Sequence, residues 1–338
     1  MTDQTDHLAP DVRRPVADDW PIAAAMLPFP SVARDGVATQ EAPAELWGEH
    51  LREVRDAGFA LVDITDSWVR PGDLATPRLD ELSAAADEAG VRFASISAIR
   101  RSVIDVNHGA EYKRYSHRTI DAAAQLQIGV VSVGLHQALT EMQRRALWFW
   151  TVEGHRDRPE DWDAAVQSFR ELGRHAEEVG VVLSLEMYED TFLGTADSAV
   201  RLVEAIGLES DGLNPDIGNL VRLHRPIEAW LEIATKTAPY ANFWHMKNYA
   251  RDEGPSQSRY FAVPSPMASG VIDYRSAFRV ALEAGFQGVT CAENYGGDGL
   301  SVCAMNQEYL RRHVLPKRHG YGLGRSRVRQ SDLERLLY

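Results

Sequence analysis

Cysteine is scarce in this chain: Cys291 and Cys303 are the only two among 338 residues. Two such thiols support neither a disulfide framework nor a cysteine-rich zinc site, and a reducing, cytoplasmic setting is the expectation. No stretch reaches the ~18 consecutive apolar residues of a membrane-spanning helix. The first residues carry Asp3, Asp6 and Asp11 without an apolar segment, so a secretory signal is not expected. Positive charge is also short, with 36 Lys+Arg against 49 Asp+Glu and a formal net charge of -13. Such a surface repels nucleic acid and anionic membranes. No G-x-G-x-x-G turn follows the first apolar run, which argues against a dinucleotide-binding open sheet. The glycine-rich Gly296-Gly297-Asp298-Gly299 comes only after the last run.

What the chain does have is a regular alternation of short apolar runs with amphipathic segments. Strands are expected at Ile22–Met26, Phe59–Val62, Val91–Ile96, Val130–Val133, Val181–Leu185, Leu213–Asp216, Asn242–Met246 and Val289–Ala292. Helical spacing fills the intervals, as in Ala164–Val179, Ala196–Ile206, Pro226–Thr237 and Tyr274–Glu283. Val- and Ile-rich strands with little polar alternation read as buried on both faces. Eight such units predict an α/β chain of the (β/α)8 barrel type, of about 250 residues plus insertions. The expected division is an arm over 1–18, a barrel over 19–315 and a tail over 316–338. Long loops are expected after strands four (136–163) and seven (248–273), both at the end where barrel active sites sit. The tail carries Lys317, Arg318, Arg325, Arg327, Arg329 and Arg335 among glycines, and reads as solvated. Its apolar end (Leu333, Leu336, Leu337, Tyr338) suggests docking on another subunit.

Four polar residues stand where a strand runs out: Glu186, Asp216, His245 and Glu293. The intervals are 216 − 186 = 30, 245 − 216 = 29 and 293 − 245 = 48 residues. The first two equal one βα unit, and the third equals a unit plus the 248–273 insertion. Equivalent positions on consecutive strands meet at one mouth. Three carboxylates crowded there would repel one another and resist ionisation. A divalent cation removes that penalty, and an oxygen-rich set with one imidazole suits Mn2+ or Mg2+, with Co2+ or Zn2+ tolerated. His136, at the end of strand four, is a candidate general base because imidazole titrates near neutral pH. Lys247 and Asn294 are candidates for holding substrate hydroxyls, with Tyr188 and Glu189 weaker ones. Trp148 and Trp150 could stack on a sugar face or a flat aglycone. Trp244 is expected to pack against a helix.

A barrel with Glu186, Asp216, His245 and Glu293 at four consecutive strand ends resembles the xylose isomerase-like superfamily of sugar isomerases and epimerases, over roughly residues 20–315. The resemblance implies those four as metal ligands, with Glu186 and Glu293 taking part in catalysis on a sugar substrate. Ketose epimerases commonly place a His three residues after the metal-binding Asp, where this chain has Asn219. They also tend to carry an Arg soon after the strand-seven His, where Lys247 and Asn248 stand. The superfamily's endonuclease branch needs a cationic DNA surface, which the charge balance opposes. In length, ligand set, the strand-four insertion and the Asn294-to-Gly299 run, the chain also resembles the alpha subunits of C-glycoside deglycosidases. That resemblance implies carbon–carbon bond cleavage in 3-keto-C-glycosides and a hetero-oligomer with a small beta subunit. The alternative is isomerisation or epimerisation of free sugars.

Overall fold

The computed structural model describes residues 14–34, 36–333 and 336. Eight parallel strands form the barrel: β1 (Ile22–Ala25), β2 (Leu61–Thr65), β3 (Arg92–Ser97), β4 (Val130–Val133), β5 (Val182–Glu186), β6 (Asp211–Asn214), β7 (Phe243–Met246) and β10 (Val289–Ala292). They pair in ring order β6-β5-β4-β3-β2-β1-β10-β7. Closure between β6 and β7 rests on a single Leu213–Ala241 bridge. The Asn214 side chain completes that seam, its Oδ1 accepting from the His245 backbone N–H at 2.7 Å. The remaining pair, β8 (Asn248–Gly254) and β9 (Arg259–Ser265), is an antiparallel hairpin built from the expected loop after strand seven.

Helices α1 (Ala44–Asp56), α2 (Thr76–Ala89), α3 (Gly109–Gln125), α5 (Trp162–Glu178), α6 (Ala196–Ile206), α8 (Trp230–Thr237), α9 (Tyr274–Glu283) and α10 (Gly299–Tyr309) surround the strands, and α4 (Glu141–Arg145) and α7 (Ile217–Val221) are short helices in mouth loops. α5 shows why they stay: Ala165, Val166, Phe169, Leu172, Gly173 and Ala176 are buried at helical spacing, a stripe that faces the strands. Trp244 stacks on Phe278 of α9 with centroids 6.1 Å apart. It packs against a helix, as the sequence suggests.

Two apolar cores result. Alternate strand residues such as Ile22, Ala24, Val62 and Ile64 face the helices, while Ala23, Ala25, Leu61, Ala94, Val130, Val182, Phe243 and Val289 fill the barrel interior. Side chains two apart on a strand share a face. The inward rows therefore run Leu61-Asp63-Thr65, Val182-Ser184-Glu186, Phe243-His245-Lys247 and Val289-Cys291-Glu293. Each starts apolar at the bottom and turns polar at the mouth. The polar alternation that the sequence reading discounted is present on the inner face of these four strands.

Three expectations need correction. Strand six ends at Asn214, so Asp216 lies beyond it as the N-cap of α7, accepting from the Asn219 backbone N–H at 3.3 Å. The helix expected from Pro226 begins at Trp230. The tail is not a solvated arm over its described part. It crosses the bottom of the barrel, with the backbone N–H groups of Arg327 and Arg329 donating to Pro239 O at 2.8 Å and Glu209 O at 2.6 Å. The Gln330 side chain donates to Ala241 O at 2.8 Å, and Leu336 joins the interior core. Arg335, Leu337 and Tyr338, like residues 1–13 of the expected arm, lie outside the described residues. The last part of the arm is tied down: Ala17 is buried and its N–H donates to Pro316 O at 2.7 Å.

Candidate metal centre

The four donors come together at the mouth. His245 Nδ1 lies 3.6 Å from Glu186 Oε2, 4.0 Å from Asp216 Oδ2 and 3.6 Å from Glu293 Oε2. Adjacent donors about 2.1 Å from an octahedral ion stand about 3.0 Å apart, so the carboxylate oxygens must close on His245 by about 0.6–1 Å to hold one. His245 Nδ1 is buried and has no hydrogen-bond partner, an orphan that a cation would satisfy. On its other side, His245 Nε2 is 3.2 Å from Ser97 Oγ and 3.6 Å from Asp63 Oδ2. A carboxylate there favours the Nε2–H tautomer and leaves Nδ1 free for metal. Asp63 is itself held by the Ser95 and Ser97 hydroxyls at 2.6 and 2.9 Å.

Lys247 sits two residues beyond His245 on the same inward row. Its ammonium ion-pairs with both Asp216 and Glu293. Three carboxylates and one ammonium leave the site two charges negative with His245 neutral, which one divalent ion cancels. Burial, then repulsion from Glu293 and Glu186, pushes Asp216 above its ordinary range, although Lys247 opposes it. Burial also disfavours ionised Glu186, but His136 and His245 overcome that and hold it below the carboxylate range. Crowding thus falls on Asp216, and an added cation relieves it.

Asn219 occupies the position where the resemblance led one to look for a His. Its Nδ2 donates to Glu186 Oε1 at 3.1 Å, Asp216 Oδ2 at 3.1 Å and Met187 O at 3.0 Å. It therefore positions two of the donor carboxylates. His136 Nε2 is 3.5 Å from Glu186 Oε1, its ring 3.9 Å from that of Tyr188. Gly134 makes this approach possible, since a Cβ there would stand 2.5 Å from His136 Nδ1. Asn294 turns its amide into its own loop, donating to Tyr295 O at 3.1 Å and Gly296 O at 3.4 Å. Glu189 lies apart from the donors, with both its oxygens 3.0 Å from Arg222 Nη2.

An aromatic cluster lies among the mouth loops. Trp150, 1 % exposed, stacks on Trp148 at 5.0 Å and meets Tyr249 and Tyr295 edge-on at 5.3 and 5.6 Å. Its indole N–H donates to Ala262 O of the hairpin at 3.0 Å, which ties the loop after strand four to the loop after strand seven. Arg222 lies against this cluster, its guanidinium 4.8 and 4.9 Å from the rings of Phe149 and Trp150. Sequence reasoning missed Asp63 and Arg222. The signal for Asp63 was a carboxylate at an inward position of an otherwise apolar strand; Arg222 had none.

The class that fold and site define is a (β/α)8 barrel with three carboxylates and an imidazole gathered at the C-terminal mouth. The chain belongs to the xylose isomerase-like TIM barrel family, whose model matches residues 51–313. A xylose isomerase-like TIM barrel protein from Mycobacterium smegmatis, solved in complex with magnesium, is 45% identical over 88% of this chain and 97% of its own, with a TM-score of 0.85. D-psicose 3-epimerase from Clostridium cellulolyticum H10, solved with D-tagatose, is 15% identical over 88% and 99%, with a TM-score of 0.63. 3-Keto-D-glucoside 4-epimerase from E. coli is 16% identical over 86% and 98%, with a TM-score of 0.59. These two show a shared fold. No curated protein matches the chain. Among the described residues, no helix is long and apolar enough to cross a membrane.

Proposed function

We propose that this chain is a divalent-metal-dependent isomerase or epimerase of keto sugars. The observation that carries the reading is the orphaned His245 Nδ1 facing Glu186, Asp216 and Glu293. Mg2+ or Mn2+ suits these donors, and the Mycobacterium smegmatis relative, solved with magnesium, supports the first. A bound ion supplies Lewis-acid polarisation of a carbonyl, which acidifies the neighbouring C–H.

The chain's own groups do the rest. Glu186 and Glu293 flank His245, and we assign them the proton transfers. One takes the proton from the carbon beside the carbonyl, and the other returns a proton to the opposite face. His136 Nε2, facing Glu186 Oε1, relays the proton to and from that carboxylate. Lys247 holds Asp216 and Glu293 in place and presents its remaining N–H to a sugar oxygen. The Trp148–Trp150 cover excludes water while the deprotonated sugar exists. The epimerases among the solved neighbours support this reading over carbon–carbon cleavage with a second subunit.

The test is proton exchange. Chelator-stripped protein is reloaded with Mg2+ or Mn2+ and incubated in D2O with free ketoses, 3-keto glucosides and 3-keto-C-glycosides. Deuterium at the carbon beside the carbonyl, lost with Glu186→Gln and with chelator, is the expected NMR result. Release of an aromatic aglycone without exchange into any free ketose would replace this reading with the lyase one.

A further inference from the structure

A cluster of two histidines and two carboxylates lies on the outer face of the barrel, away from the mouth. His117 and Asp121 are one turn apart on α3, and Glu171 and His175 are one turn apart on the neighbouring α5. Residues at this spacing share a helix face, so the two pairs meet across the groove between the helices. His117 Nδ1 and His175 Nδ1 are 2.9 Å apart. The outer nitrogens are both engaged: His117 Nε2 lies 3.2 Å from Glu171 Oε1, and His175 Nε2 lies 2.9 Å from Asp121 Oδ1.

Carboxylates accept hydrogen bonds, so each Nε2 carries its proton. In a neutral imidazole that leaves Nδ1 as a bare lone pair. Two bare lone pairs at 2.9 Å repel unless a proton or a metal ion lies between them. The arrangement is the carboxylate–histidine–metal pattern made twice, with each carboxylate fixing the tautomer of its ring. The separation also selects a geometry. Donors about 2.05 Å from one ion are about 2.9 Å apart when they sit at 90°, and about 3.4 Å apart in a tetrahedron. The observed spacing is that of two adjacent corners of a tetragonal site, which nitrogen-rich Cu2+ and Ni2+ favour. The site is open to water for the other corners: the groove beside it, about 570 Å³, is lined by His117, Gln167, Arg174, His175 and Glu178 among others. The nearby Lys113 is taken up by the other oxygen of Glu171 at 2.8 Å, and Arg170 by the carbonyls of Ala205 and Ile206.

We propose that His117 and His175 form a surface site for a tetragonal late-transition-metal ion, Cu2+ or Ni2+, clamping α3 to α5. The test is Cu2+ titration of the full chain, followed by calorimetry and electron paramagnetic resonance. The wild type should take up one Cu2+ more than the His117→Gln/His175→Gln variant. At sub-stoichiometric Cu2+, its spectrum should show hyperfine coupling to two nitrogens that the variant lacks. Single His175→Gln should show one nitrogen, which keeps the test available if the double variant folds poorly. Glu171→Gln/Asp121→Asn keeps both rings but should bind about 10- to 100-fold more weakly, the usual cost of losing such partners. Equal Cu2+ uptake by the wild type and the double-histidine variant would overturn the proposal and leave the pair bridged by a proton.

Discussion

The donor set makes a quantitative prediction about stability. An ion that binds only the folded chain stabilises it by about 2.7 kcal/mol at 100 times its dissociation constant. Unfolding entropy is about 2.1 cal/mol/K per residue, so 338 residues give about 0.7 kcal/mol/K. The expected rise in Tm is therefore about 4 °C. The perturbation is Asp216→Asn. It removes one of three anionic donors yet retains a side chain of the same shape between Asn219 and Lys247. The assay is scanning calorimetry of chelator-stripped protein across a Mg2+ series and a Mn2+ series. Wild type should gain the full shift, and Asp216→Asn should gain less than 1 °C at the same concentrations. Neither ion is suited to the paired imidazoles of α3 and α5, so the response reports the mouth alone. A wild type that shows no shift, or a variant that shifts equally, would refute the assignment of these residues as a metal centre.

Other outcomes are expected away from the donors. Asp211 is buried between β6 and α5, where burial, aided by Glu177 and opposed by Ser210, raises its pKa to about 7. The folded chain then holds a proton that the unfolded chain releases near pH 4, so stability falls between about pH 4 and 7. About three pH units correspond to about 4 kcal/mol; urea unfolding of Asp211→Asn should lose that slope, and an unchanged slope would count against it. Arg222→Met strands the Glu189 carboxylate in a dry site and should cost about 3–5 kcal/mol by denaturant melts. Trp150→Ala opens a cavity under the cover and should cost about 3–5 kcal/mol, with solvent exchange into a bound ketose intermediate rising in the deuterium assay. A cost below 1 kcal/mol would show that the cover is loosely packed.

Strand positions were legible where the inner and outer faces agree. Val130–Val133 and Val289–Ala292 are apolar enough to be read directly, and the structure places strands on the same residues. Strand six was misplaced because its helix-facing side carries Asp211 beside Leu213 and its second residue is Gly212, which leaves one large apolar side chain, Leu213, as signal. Asp211 is tolerated because α5 offers Gly173 opposite it: a Cβ there would stand 2.1 Å from Asp211 Oδ2. The tail was misread for a related reason. Its basic residues suggest solvation, but the open bottom of the barrel presents carbonyls at Glu209, Pro239 and Ala241 that its N–H groups reach.

By itself, the sequence determined the barrel and four of its mouth residues. Both follow from periodicities that need no knowledge of contacts: apolar runs alternating with amphipathic helices, and polar residues recurring at the interval of one βα unit. Only the tertiary structure decided what surrounds those four. Lys247 bridges two of them, Asp63 sets the tautomer of His245, Asn219 spans Glu186 and Asp216, and Arg222 closes on Glu189 beneath Trp150. Each of these depends on side chains meeting across elements far apart in the chain, and so does the pairing of His117 with His175. Such meetings are fixed by strand register, helix rotation and barrel closure, which no local pattern of residues encodes.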